Sequence, residues 1–181
     1  MGFLSLFGCS KSKQPVQPSV APNPSAAKTI VYRGGIVQFD LPSNWREEYK
    51  PEGGGTFYED RPNAGTLRLN VLTLQPKSGE PPEQAIERAY PAKSCEVLPS
   101  GLHMRHEIAD AEEKGTSIRL HSWVVAVPVP PTRFRVACFT YTILARQASD
   151  PAIVAELALV DKSIRSAEYS REPGVIGAFT K

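Results

Sequence analysis

Cysteine is scarce in this chain: Cys9, Cys95 and Cys138 are the only three among 181 residues. None makes a Cys-x-x-Cys pair, none stands at a zinc-site spacing from a histidine, and an odd number argues against a disulfide framework. Cys138 lies in the apolar run 136–139 and reads as a buried thiol. A Cys95–Cys138 bridge is compatible with the sequence, but nothing in it requires one. Long apolar runs are missing too, since no stretch reaches the ~18 residues of a membrane-spanning helix. The chain lacks G-x-S-x-G, H-E-x-x-H, a P-loop and a dinucleotide fingerprint, so no common catalytic or cofactor-binding signature is present. A basic excess is also absent. The formal charge is +2, and Lys11 and Lys13 lie in the first 27 residues with no acid, which leaves 19 basic and 19 acidic side chains in the remainder. Binding by phosphate neutralisation needs a basic face, so nucleic acid is set aside as a partner.

Proline, by contrast, is plentiful, with 17 in all, and Pro15, Pro18, Pro22 and Pro24 fall close together. Residues 1–27 therefore read as a disordered Pro/Ser-rich tail. Leu6-Phe7-Gly8-Cys9 loosely resembles a bacterial lipobox, in which the cysteine is lipidated and a Pro/Ser-rich segment serves as tether. A basic n-region and an apolar h-region of sufficient length are missing. Two readings stay open: a plain tail on a cytoplasmic protein, or a membrane-anchored lipoprotein facing the cell exterior or periplasm. Membrane contact is expected only if Cys9 carries lipid.

Order is expected from residue 28 to 168, with a loose tail over 169–181. Short strands are predicted over 29–32 and 36–41, with turn chemistry at Gly34-Gly35. The triplet Gly53-Gly54-Gly55 invites comparison with a phosphate loop. A strand follows it rather than a helix N-terminus, and Glu52 and Glu59 flank it, so the triplet reads as a hairpin turn. Leu67, Leu69 and Val71 alternate along a strong strand. A short helix is predicted over 83–90, introduced by Pro82 and ended by Pro91. Three long β segments follow, over 102–112, 117–127 and 133–144. Asp150 caps a final helix with Pro151 in its first position, and Ile153, Leu157, Val160 and Ile164 recur at helical spacing. Hairpins dominate, which makes the fold class α+β: an antiparallel sheet of six to seven strands with helices packed on it.

A two-residue turn at Lys114-Gly115 would set Asp110 opposite Arg119, Ile108 opposite His121, His106 opposite Trp123 and Met104 opposite Val125, all on one face. His106, His121 and Trp123 are then a candidate binding set, or else a half-buried face with a cross-strand ion pair. Two histidines without a third ligand do not make a metal site. Trp45, Tyr49, Phe57 and Tyr58 surround the glycine hairpin. Trp45 is expected to plug the core, while Tyr49 and Tyr58 are candidate binding anchors or further core.

The stretch Phe39-Asp40-Leu41-Pro42-Ser43-Asn44-Trp45 resembles the strand-to-turn opening of the PsbP-like superfamily, which includes the Ran-binding factor Mog and bacterial branches. The order of a hairpin, a middle helix, a long meander and a closing helix ending near Ser163-Ile164-Arg165 is similar to that family over residues 29–165. The resemblance, to a bacterial-type branch, implies a PsbP/Mog-like α/β/α sandwich and a protein that binds macromolecules or small ligands without chemistry. It assigns no functional residue. The expected function is thus a non-catalytic interaction module with a protein partner, as an accessory, adaptor or immunity-like protein, with no cofactor and no metal. The alternative is a small-ligand or lipid-binding lipoprotein tethered through Cys9.

Overall fold

Lys114 and Gly115 both take positive φ, 51° and 76°, the conformation a two-residue hairpin requires to match the right-handed twist of its strands. The turn joins β7 (His103–Glu113) to β8 (Thr116–Val129), and β9 (Arg133–Leu144) returns along β8. These three long strands form the middle of the molecule, a computed structural model that describes residues 26–77 and 79–173. Gly53 and Gly54 also take positive φ, and the glycine triplet turns β3 (Trp45–Tyr49) into β4 (Gly55–Glu59). The opening strands β1 (Ala27–Tyr32) and β2 (Val37–Pro42) form another hairpin, while β5 (Thr66–Leu74) lies against β9.

Two sheets result. The larger has seven strands in the order β3-β4-β5-β9-β8-β7-β6, where β6 (Glu96–Val97) is a two-residue edge strand. The smaller has the order β1-β2-β10, with β10 (Glu168–Tyr169) closing the domain. Alternation along the chain predicts one sheet; a second forms because strands from the two ends of the domain meet on β2.

Alternation decides which side chains fill the core. Phe57, Leu67, Leu69, Trp123, Val125, Ala137, Phe139 and Tyr141 project from the inner face of the large sheet and are buried. The small sheet meets them with Ile30, Val37, Phe39 and Leu41. Phe39 stands edge-on to both Phe57 and Phe139, at centroid distances of 5.3 and 5.5 Å, the arrangement favoured by aromatic quadrupoles. Helix α2 (Pro151–Arg165) completes this layer. The Asp150 carboxylate accepts from the Ala152 amide at 2.8 Å, and Ile153, Val160 and Ile164 are buried.

The opposite, outer face of the sheet is covered differently. Helix α1 (Pro82–Ala89) lays Ala85 and Ile86 on Ala126, Phe134 and Val136. With eight residues it spans only ~12 Å, so it covers one corner of the sheet. Cys138 lies on this face and is half-buried rather than buried, and Cys95 and Cys138 are free thiols.

Backbone contacts tie in both ends of the described domain. Ala27 pairs with Pro42 and the Ser43 amide donates to the Ala26 carbonyl. Beyond Tyr169, the Ser170 amide donates to the Ile36 carbonyl. The buried Arg135 guanidinium donates to the carbonyls of Ser170 at 2.8 Å and Glu172 at 2.7 Å. The chain beyond Tyr169 is thus held by carbonyl contacts to one buried cation. Cys9 lies outside the described residues.

Candidate functional site

The β7–β8 register is the one dictated by the turn: Asp110 faces Arg119, Ile108 faces His121, His106 faces Trp123 and Met104 faces Val125. The Asp110 carboxylate accepts from the Arg119 Nε and Nη2 at 2.7 and 2.9 Å, a bidentate pair at the exposed end of the hairpin. The His106 and His121 ring centroids are 5.7 Å apart. So the sequence brought this set together correctly, but burial divides it. Trp123 is 0% exposed and His121 5%, whereas His106 is open to solvent.

The reason is α2, which crosses the inner face of β8. The Trp123 indole Nε1 donates to Asp161 of that helix at 2.9 Å. Arg165 Nε donates to the same carboxylate at 2.6 Å, and its Nη1 reaches the Glu96 carboxylate at 2.5 Å. Burial works against the Asp161 anion, but the hydrogen bonds from Arg165 and Trp123 outweigh it and hold the carboxyl below its usual range. Burial lowers the proton affinity of both His106 and His121, and for His121 the neighbouring His106 and Arg119 act in the same direction. The buried Nδ1 of His121 has no hydrogen-bond partner. Among the described residues no group of three His, Cys, Asp or Glu side chains could hold a metal ion.

Tyr49 and Tyr58 lie on opposite faces of the sheet. Tyr49, 51% exposed, flanks the core opening beside Tyr32 and Phe57, with ring centroids 6.3 and 6.0 Å away, and its hydroxyl donates to Glu47 at 2.7 Å. Tyr58 is on the outer face, where its hydroxyl donates to Glu48. The five candidate residues therefore belong to three separate places rather than one site.

The outer face holds further residues that carry no sequence motif. Away from α1, Tyr58, Arg68, Asn70, Thr140, Thr142 and Ser122 stand in neighbouring strands, each half-buried or exposed. Leu72 and Leu74 are 55% and 41% exposed at the same surface. Arg68 Nη1 donates to the Thr142 hydroxyl at 3.3 Å across the β5–β9 pair. Reading β5 as a strand gave the parity of Arg68 and Leu72. Knowing that they stay uncovered requires the length and position of α1. Along α1 an open groove of about 420 Å³ is lined by Glu83, Glu87, Leu102, His103 and Arg171. There His103 Nδ1 lies 2.7 Å from the Tyr90 carbonyl, which ties the imidazole to the protein.

The α+β fold, two helices packed on antiparallel sheets, is shared with solved structures. A crystal structure from Bacteroides thetaiotaomicron superposes with a TM-score of 0.52 at 16% identity, covering 79% of this chain, which spans only 48% of that protein's length. LpqN of Mycobacterium tuberculosis, a protein involved in cell envelope biogenesis, also gives 0.52, at 11% identity over 76% of this chain and 88% of LpqN. The Ran-binding protein Mog1p of Saccharomyces cerevisiae gives 0.46, at 12% identity over 79% of this chain and 95% of Mog1p. At such identities the likeness is one of fold. No family model matches the sequence, and no curated protein matches it either.

Proposed function

We propose that the protein is a non-catalytic protein-interaction module, an accessory, adaptor or immunity-like protein that takes its partner on the outer face of the seven-stranded sheet. The observation that carries this reading is the incomplete cover of that face. Helix α1 protects only the Ala126–Phe134–Val136 corner. It leaves uncovered a strip that runs from Tyr58 on β4 along Arg68, Asn70 and Leu72 of the neighbouring β5. Tyrosine and arginine are the residue types that dominate protein contacts energetically, and exposed leucines supply apolar area around them. The charges on this face, Arg46, Glu48, Arg68, Arg105 and Glu107, are mixed in sign, which suits a protein surface better than a polyanion.

The test is capture of partners from the native cell with the full chain, followed by Tyr58→Ala, Arg68→Glu and Leu72→Asp. Each variant should keep the wild-type melting temperature and lose the captured partner, with an affinity cost of at least ~2 kcal/mol for a true anchor. Retention of the partner by all three variants would refute the assignment of this face.

The alternative, a ligand-binding lipoprotein tethered through Cys9, rests on the Leu6–Cys9 tetrapeptide. Lipid labelling in cells separates the two: label on the wild type and none on Cys9→Ser supports the tether. It predicts membrane-fraction recovery, whereas the first reading does not depend on it.

A further inference from the structure

Strand β7 is paired on one side for its whole length and on the other only at His103 and Met104, which meet β6. From Arg105 to Glu113 no strand among the described residues covers its outer edge. The backbone polarity of that edge follows from the turn. In a two-residue hairpin the flanking residues, here Glu113 and Thr116, form a hydrogen-bonded pair, and such pairs recur at every second residue. The register with β8 is unbroken, so Arg105, Glu107, Ala109 and Ala111 bond inward. His106, Ile108, Asp110 and Glu112 direct their N–H and C=O groups outward. Such a row is a template for another strand. Ile108, in its centre, is 58% exposed.

The side chains say which strand fits. A two-fold axis perpendicular to the sheet pairs residues of equal parity, so few registers exist for two copies of β7. An axis on Glu107 or Asp110 opposes two like carboxylates. An axis on Ala109 places each Ile108 against an aspartate. The axis on Ile108 sets Ile108 against Ile108, His106 against Asp110, Glu107 against Ala109 and Arg105 against Ala111, with no like charges opposed. It also makes the outward-facing amides and carbonyls of Ile108 meet each other in a hydrogen-bonded pair. An apolar pair at the centre, a polar His–Asp pair beside it and no like charges opposed is a favourable cross-strand set.

We propose that β7 is a homodimer interface: two copies join antiparallel about Ile108 and extend the seven-stranded sheet across both. The occupant is a second copy because this edge is complementary to itself in that register, whereas an axis on His106, which would set Arg105 against Glu107, runs the second strand into β6 at Met104. The interface uses the rim and leaves the outer face free, so it does not rest on the partner surface described above.

Sedimentation of the full-length protein over a concentration series provides the test, beside Ile108→Pro and Ile108→Lys. Proline at 108 removes only an outward-facing N–H, which edge strands tolerate. The expected result is a wild-type dimer and at least a ~10-fold weaker dimer in both variants, with melting of the dilute monomers unchanged. Ile108→Cys should form an intermolecular disulfide under mild oxidation, which Ala109→Cys should not match in yield. A wild type that stays monomeric at every concentration overturns the proposal. So does a dimer that survives both Ile108→Pro and Ile108→Lys, or cross-linking equal at 108 and 109. If a lysine-sensitive complex forms only with another protein, the edge belongs to that protein and the proposal fails.

Discussion

The His106 imidazole lies flat on the Trp123 indole, with ring centroids 4.5 Å apart and planes within 4°. One of these rings is exposed and the other wholly buried, so the histidine acts as the outer covering of a core tryptophan. His121 continues the stack inward, 5.7 Å from His106. This relationship joins the solvent edge of β7 to the Asp161–Arg165 end of α2 through a single side chain.

Acidification should destabilise the protein through these imidazoles. Their proton affinities are lowered in the folded state, chiefly by burial. Below the ordinary imidazole value the unfolded chain binds protons that the folded chain refuses. Stability is therefore full above pH ~7 and declines as the pH falls towards ~5. Melting temperatures across that range should show the decline, and His121→Gln should flatten it. The depressed carboxyl of Asp161 is lost only at lower pH, which keeps the two effects apart. A wild-type melting temperature that is level from pH 7 to 5 would refute the assignment.

Trp123 should behave as a core residue with a polar tether. Trp123→Ala is expected to cost about 3–5 kcal/mol. Trp123→Phe keeps most of the ring and loses the bond to Asp161, for about 1 kcal/mol beyond the change in volume. Denaturant unfolding of the two variants measures both. Equal losses would show that the hydrogen bond, not the packing, dominates.

Arg135 should govern the order of the chain after β10. Its guanidinium is buried and its cationic form is disfavoured by that burial, yet it holds the Ser170 and Glu172 carbonyls. Arg135→Met keeps the apolar stem and removes the donors. We expect a loss of about 1–3 kcal/mol, together with faster cleavage by a limiting protease after Tyr169. Cleavage at the wild-type rate would show that the segment is held by other contacts.

Gly65→Ala should be destabilising for steric reasons alone. A Cβ at this position would lie 2.0 Å from the Tyr141 hydroxyl oxygen and 2.1 Å from Cζ. Tyr141 is completely buried between β8 and β5, so its ring cannot swing away without disturbing the core. Overpacking of this kind costs about 1–3 kcal/mol, readable as a shift in the urea midpoint. Tyr141→Leu in the same chain should reduce the penalty of the alanine. If it leaves that penalty unchanged, the clash lies elsewhere.

Sequence by itself determined the features that depend on neighbours a few residues away. Lys114-Gly115 suits a two-residue turn, and once it forms one, the pairing of His106 with Trp123 follows by counting. Asp150-Pro151 starts α2, the glycine triplet turns β3 into β4, and alternation names the buried side of β5. Tertiary structure alone decided what covers each face. Trp123 and His106 were equivalent on the strand pattern, and became core and surface because Asp161, 38 residues along, brings α2 over one and not the other. The small sheet, the anchoring of residues 170–172 by Arg135 and the bare outer face around Tyr58 and Arg68 have the same origin. Burial is set by whichever distant segment arrives to displace water, and no local spacing in the chain encodes that arrival.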